Sequence, residues 1–354
     1  MSRDGHSSPA PGGGAAGNNA SVSSELEARA SALLHAHGTP GVAVGVVEGG
    51  ERTIVTAGSR GRDRGPVEDD TIFAAASLTK PLFAAGVMTL VDDGALDLDR
   101  PLDEYLRTPY LPDDEHVGTI TARMVLSHTT GFPNWRAGSD AHSHPADAAL
   151  RLRWEPGTRW GYSGEGFSYL QAVVEELSDG PVGAHLSNAV LRPLGMTESS
   201  FALAPDEPRL ARGHTETGEE HAPFRPPAAK AAAGGLFTTA PDYLRFVEHC
   251  LANEHRMFVP QVRIDEELAW GLGWGLEIGG DDTFAWQWGN DPGYKSFVIG
   301  SPSQRAAVVV FTNGDRGAEV YAELVRELLP GPHPSLDATH RPAWVRSWQA
   351  GSAS

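Results

Sequence analysis

Sulfur is scarce in this sequence. Among 354 residues there is one cysteine, Cys250, and five methionines. A lone thiol excludes an internal disulfide framework and any cysteine-rich zinc site. It lies in Tyr243-Leu-Arg-Phe-Val-Glu-His-Cys250-Leu, a helix-like apolar pattern, and reads as a buried structural thiol. Long apolar runs are missing too: no stretch approaches the ~18 residues that span a bilayer. The segment from Met1 to Ser24 is rich in Gly, Ala, Ser and Asn and has no apolar core of the kind a secretory signal needs. Residues 1–24 are therefore expected to form a disordered tail, and the protein to be cytoplasmic with no membrane partner. Positive charge is in deficit, with 28 Lys and Arg against 46 Asp and Glu and a formal net charge of −18. Nucleic acid is excluded as a partner, because phosphate backbones demand clustered Lys and Arg.

What is abundant is loop-forming residue: 41 glycines and 26 prolines, without a low-complexity repeat. The length suits one large domain or two intimately packed ones. A helical pattern runs from Ser24 to His37 and stops at Gly38. Two strand-like runs follow, Gly41–Val47 and Arg52–Ala57, with Gly49-Gly50 between them as a hairpin turn. An apolar helix from Leu78 to about Asp92 ends at Gly94. The middle, about 100–210, carries helix patterns broken by Gly and Pro, such as Thr121–His128 and Ser168–Leu177. Alternation returns in Trp270–Ile278, Phe284–Trp288, Tyr294–Ile299 and Ala306–Thr312, followed by an amphipathic helix over about Ala318–Leu329. The expectation is an α+β fold: an antiparallel sheet flanked by helices, built from 25–99 and 211–330. Residues 100–210 form a mainly helical insertion, 331–354 form a C-terminal tail, and a cleft lies where the two parts meet.

Ser77-Leu-Thr-Lys80 stands at the start of the apolar helix. Positions i and i+3 share a helix face, so the Ser77 hydroxyl and the Lys80 ammonium can come within hydrogen-bond reach. A serine becomes a nucleophile when a base removes its proton, and lysine is such a base once burial lowers its pKa. The four-residue pattern alone arises by chance in roughly one such chain in five. The chain has only three lysines, however: Lys80, Lys230 and Lys295. One of them occupies a helix end whose dipole disfavours cations, which argues for function. Tyr162, in Trp160-Gly-Tyr-Ser-Gly-Glu-Gly166 just before a helix, could face Ser77 and relay its proton. This stretch nearly matches a G-x-S-x-G nucleophile elbow. Glu165 occupies the place of the last glycine, and no strand precedes it, so that reading fails. Finally, Trp286-Gln-Trp-Gly-Asn290 sits on a strand where a glycine admits substrate and the next N–H can serve an oxyanion hole.

In this order the three segments resemble the serine β-lactamase-like family of penicillin-binding proteins, AmpC-type β-lactamases and related esterases and acyltransferases. That family is marked by S-x-x-K, then Y-x-N, then K-T-G or H-x-G. The resemblance covers about 25–330 and extends to Met88–Asp99, Leu126–Gly131, Glu155-Pro-Gly157 and Ala233–Ala240. It implies Ser77 as nucleophile, Lys80 with Tyr162 as general base, and the N–H groups of Ser77 and Asn290 as oxyanion hole. Gln287, Trp288, Gly289 and Gly164 fall in the substrate-binding motifs. Two positions depart from the pattern. Gly164 stands where the family's asparagine binds an amide side chain, and Gln287 stands where a cation holds a carboxylate. Trp286 or Trp288 could instead fill the third-motif position, as in esterases with W-x-G.

A site without the cationic clamp favours an ester or thioester, and the leading expectation is a serine hydrolase or acyltransferase acting on a small-molecule acyl substrate. A D-amino-acid peptidase, amidase or weak β-lactamase is the alternative, and a non-catalytic acyl-ligand binder the third reading. No cofactor or metal is called for. His142-Ser-His144 with Asp140 and Asp147 reads as a polar loop, His128 as a structural capping residue, and Lys295 as a solvated strand lysine.

Overall fold

The computed structural model describes residues 15–107, 111, 114–136, 150–204, 206–223 and 226–338. Its centre is an eight-stranded antiparallel sheet drawn from both ends of the chain. The strands are β1 (Gly41–Glu48), β2 (Glu51–Gly58), then β5 (Val262–Arg263), β6 (Leu268–Trp270), β7 (Gly275–Glu277), β8 (Phe284–Asp291), β9 (Tyr294–Ser301) and β10 (Ala306–Thr312). They are ordered β2-β1-β10-β9-β8-β7-β6-β5. A separate pair, β3 (Phe73–Ala74) and β4 (Phe237–Thr238), lies just ahead of Ser77. The expected α+β architecture is thus present.

Burial explains the strand sequences. Ala307, Val309 and Phe311 of β10 face α7 (Ala240–Asn253), alongside Tyr243, Leu244 and Val247. Val308 and Val310 face the opposite core, formed with α1 (Ala15–His37) and α8 (Gly317–Leu328) through Leu33, Leu34 and Leu324. A strand covered on both faces has no polar side to show, hence its unbroken apolar run. The Gly49-Gly50 turn closes the β1–β2 hairpin with both glycines at positive φ, 59° and 89°, as a two-residue turn of this hand requires.

The helical part contains α2 (Thr79–Asp92), α3 (Ala122–Leu126), α4 (Gly164–Ser178), α5 (Val182–Leu186) and the short α6 (Ala231–Gly234). Thr121 and Ser163 cap α3 and α4 with their hydroxyls. Residues 228–234, on the far side of the expected boundary at 210, pack against α2 and α4.

Several elements differ from the expectations. Helix α1 begins at Ala15, so the chain is already helical within the expected 1–24 tail. Trp270–Ile278 is two strands joined by the turn 271–274, because Gly271, Gly273 and Gly275 alternate through a segment read as one strand. After residue 330 the chain continues into α9 (Pro334–Ala338), with Leu336 buried and Glu277 accepting from Ser335 N at 3.0 Å. The His142–His144 stretch with Asp140 and Asp147 lies outside the described residues. No helix among them is long and apolar enough to cross a membrane. Cys250 is fully buried in α7.

Candidate active site

Ser77 lies in a short 3-10 turn, Ala76–Leu78, that runs straight into α2. Backbone and side-chain ties hold this turn. Ala75 N donates to Leu236 O at 2.9 Å, and the Tyr243 hydroxyl donates to Leu78 O at 2.7 Å. Thr79 Oγ1 donates to Ala76 O at 2.7 Å. Ala76 itself has φ 51°, a left-handed conformation that costs a non-glycine residue about 1 kcal/mol or more. The residue before Ser77 is therefore strained, a feature its alanine identity concealed.

Lys80 is 1% exposed, with Nζ 3.1 Å from Ser77 Oγ and 2.7 Å from the Ala233 carbonyl it donates to. The i, i+3 spacing delivers the contact it promised. Burial draws the Lys80 ammonium down to about 7, opposed by the negative charge of Asp291. Burial pushes the Asp291 carboxyl up from its usual range, while Lys80 and Lys295 pull it back. The Ala233 carbonyl and the Asp291 carboxylate were not singled out by sequence. Ala233–Ala240 enters only as a stretch that extends the family resemblance, with no chemical role given to it.

Tyr162 lies across from Ser77, its ring centroid 4.9 Å from Lys80 Nζ. Burial raises its phenol well above the usual range, while hydrogen bonds with the Ser77 and Gln287 side chains act the other way. Tyr162 is thus a neutral phenol over the ordinary pH range. Gln287 Nε2 donates to the Tyr162 oxygen at 3.0 Å and to Trp288 O at 3.1 Å, and approaches Ser77 O at 3.3 Å. Gln287, then, stands at the third-motif position beside Tyr162. Trp286 and Trp288 pack in the same core cluster as Tyr162, the Trp288 ring tilted against the Tyr162 ring with 4.9 Å between centroids. Strand β7 begins only at Gly275, opposite Trp286, so the edge of β8 from Gln287 onward is open to the Tyr162 loop.

Gly289 explains how β8 meets the nucleophile. A Cβ there would lie 2.6 Å from Ala75 O and clash with Ser296 Oγ. In the β8–β9 hairpin the turn Pro292-Gly293 pairs Asp291 with Tyr294, and Asn290 lies opposite Lys295. Alternate antiparallel pairs exchange both hydrogen bonds, so the Asn290 N–H points away from β9, over the open edge. With the Ser77 N–H this arrangement can receive an oxyanion. The Asn290 side chain is exposed, and its contribution here is backbone.

His128 is buried with φ 57°, and its Nδ1 accepts from Ser163 N at 3.1 Å beneath the Tyr162 ring, 4.2 Å between centroids. Burial and Lys80 hold it neutral, in keeping with a structural role. Lys295, expected to be solvated, is instead paired with Asp315 at 2.7 Å and donates to Asp291 O at 2.9 Å. It braces the hairpin, since Asp315 also accepts from Gly293 N at 2.8 Å. Arg136 and Glu165 form a fully buried ion pair at the start of α4, with Arg136 N also donating to Glu165 Oε1 at 3.0 Å. Glu165→Gln should cost about 3–5 kcal/mol in urea unfolding, since it removes the carboxylate charge that faces the buried Arg136 guanidinium. A loss below 1 kcal/mol would show the pair to be dispensable.

Fold and site together define a serine hydrolase of the β-lactamase type. The chain belongs to the Beta-lactamase family, whose model matches residues 26–329. It is similar to Esterase EstB of Burkholderia gladioli, 31% identical over 67% of this chain and 69% of that protein. Penicillin-binding protein 4 of Amycolatopsis lactamdurans is 27% identical over 85% of this chain and 88% of its own length. Among solved structures, a beta-lactamase/D-alanine carboxypeptidase from Pseudomonas syringae superposes with a TM-score of 0.78 at 16% identity. It covers 89% of this chain and 100% of that one, a likeness of fold.

Proposed function

We propose that this chain is an esterase or acyltransferase that works through an acyl-enzyme on Ser77. The observation that carries the reading is the Ser77–Lys80 contact at 3.1 Å, made by a buried lysine whose pKa is brought to about 7. Lys80 takes the Ser77 proton as Oγ bonds to the acyl carbon, and the N–H groups of Ser77 and Asn290 receive the carbonyl oxygen. As the acyl–oxygen bond breaks, that proton reaches the leaving oxygen through the Tyr162 phenol. Water or an alcohol then repeats the sequence in reverse and frees Ser77.

Ester preference rests on Gln287. Its amide is neutral and its Nε2 is committed to Tyr162 and Trp288, so it offers no charge to a substrate carboxylate. A β-lactam or a peptide C-terminus finds no clamp at this position. The esterase named among the relatives agrees with this choice.

The test compares p-nitrophenyl butyrate, a cephalosporin and a D-alanyl-D-alanine peptide as substrates, with a fluorophosphonate probe for Ser77. Butyrate turnover at least about 100-fold above the other two in kcat/KM is expected. Faster cephalosporin or peptide turnover would replace this reading with the β-lactamase or peptidase one. No turnover and no labelling would leave only an acyl-ligand binder.

A further inference from the structure

Gly164 replaces an asparagine of the family pattern, and the structure shows what took the vacated space. A Cβ built on Gly164 would clash with Cη2 and Cζ3 of the Trp135 indole and lie 2.9 Å from its Cζ2. No side chain fits at 164 while the indole stays.

The indole is also held firmly. Its neighbours on both sides are tied to the Tyr162 loop: Gly164 N donates to Asn134 Oδ1 at 3.0 Å, and Glu165 N to Asn134 O at 3.0 Å. Arg136 Nε donates to the buried Glu165 at 3.0 Å. Ser163 Oγ donates to Pro133 O at 2.8 Å. The Lys230 ammonium stands 3.9 Å over the Trp135 ring, a cation–π contact made by a lysine that is 2% exposed. Lys230 opens the segment whose Ala233 carbonyl holds Lys80. The indole is therefore wedged beside the second motif and linked through one short segment to the catalytic lysine, while part of it remains exposed.

We propose that Trp135 is the specificity-determining residue for the acyl group. Its indole occupies the space that a side chain at 164 would take, two residues along from Tyr162, and offers an apolar surface there. The substrates are then esters whose acyl group is an unbranched or flat apolar chain without an acylamino substituent next to the carbonyl. This inference rests on the esterase reading above and narrows it.

The experiment compares p-nitrophenyl butyrate with the p-nitrophenyl ester of N-acetyl-alanine as the ratio of kcat/KM values. Wild type is expected to favour butyrate by roughly tenfold or more, and Trp135→Ala to lower that ratio at least about tenfold, the scale on which pocket shape discriminates. Trp135→Phe, which keeps a ring over Gly164 and serves if the alanine variant does not fold, should move the ratio about threefold the same way. Gly164→Ala is expected to lose activity alone and to regain it when combined with Trp135→Ala. A ratio unchanged within about twofold in a folded variant that still labels at Ser77 overturns the assignment of Trp135 alone. Absence of any ester turnover in wild type overturns the esterase reading and this one with it.

Discussion

Ser77→Ala is expected to abolish fluorophosphonate labelling and to lower ester kcat/KM by roughly four to six orders of magnitude. The fold should not change. The turn that carries Ser77 is held by Leu236 O, Tyr243 and Thr79, none of which touches Oγ. The hydroxyl's partners, Lys80 and Tyr162, are the groups that act on it. What remains in the variant is the pair of N–H donors and the bound geometry, which alone give a modest rate over water. Intact-protein mass after a single turnover, together with steady-state rates, measures the effect. A variant that keeps more than a few per cent of wild-type rate would place the nucleophile elsewhere. Ser163 is a poor substitute, because its hydroxyl already caps α4 and bonds Pro133 O.

The second large effect concerns pH. Lys80 acts as base only without its proton, so log kcat/KM should climb as the pH rises toward about 7 and level off above it. Lys80→Met should remove that limb and cost about 10³-fold or more at pH 8. Of the groups around Lys80, His128 is held neutral and Tyr162 protonated, so neither titrates in this window. Asp291 does matter, because its negative charge raises Lys80, and its own carboxyl, pushed up to about 7 by burial, titrates in the same window as the lysine. Asp291→Asn should therefore move the midpoint to lower pH, and a midpoint that moved upward would contradict the assignment. Stability follows the same sign. The folded pKa of about 7 lies below the ordinary 10.5, so the unfolded chain binds more protons between these values. The penalty of burying Lys80 is full below pH 7 and is relieved as the pH rises toward 10.5, and Lys80→Met should flatten that rise.

The sequence disclosed what depends on local spacing and hid what depends on distant packing. Ser77 and Lys80 were legible because three residues of helix bring them together, and Tyr162 because its motif follows in order. The β1–β2 hairpin was legible from two adjacent glycines, and β10 from its apolar run. The sequence leaves the third-motif position open among Trp286, Gln287 and Trp288, and the side chain that donates to Tyr162 is Gln287. Trp135 carries no motif of its own, and its contact with Gly164, which joins a loop to the start of α4, is invisible to local spacing. The strain at Ala76 leaves no trace in composition, and Ala233 acts through a carbonyl that every residue possesses.

The sheet's strand order has a consequence for biogenesis. Strand β1 borders β2 on one side and β10 on the other, with Val47 paired to Ala307. While the chain is being made, the β1 edge of the hairpin therefore waits unpaired until the residues of β10 have emerged. Sequence-distant pairing of this kind slows folding and leaves a strand edge open to other chains. Nascent or truncated forms that stop short of Ala306 should be aggregation-prone and in need of chaperones, although the finished molecule hides that edge completely.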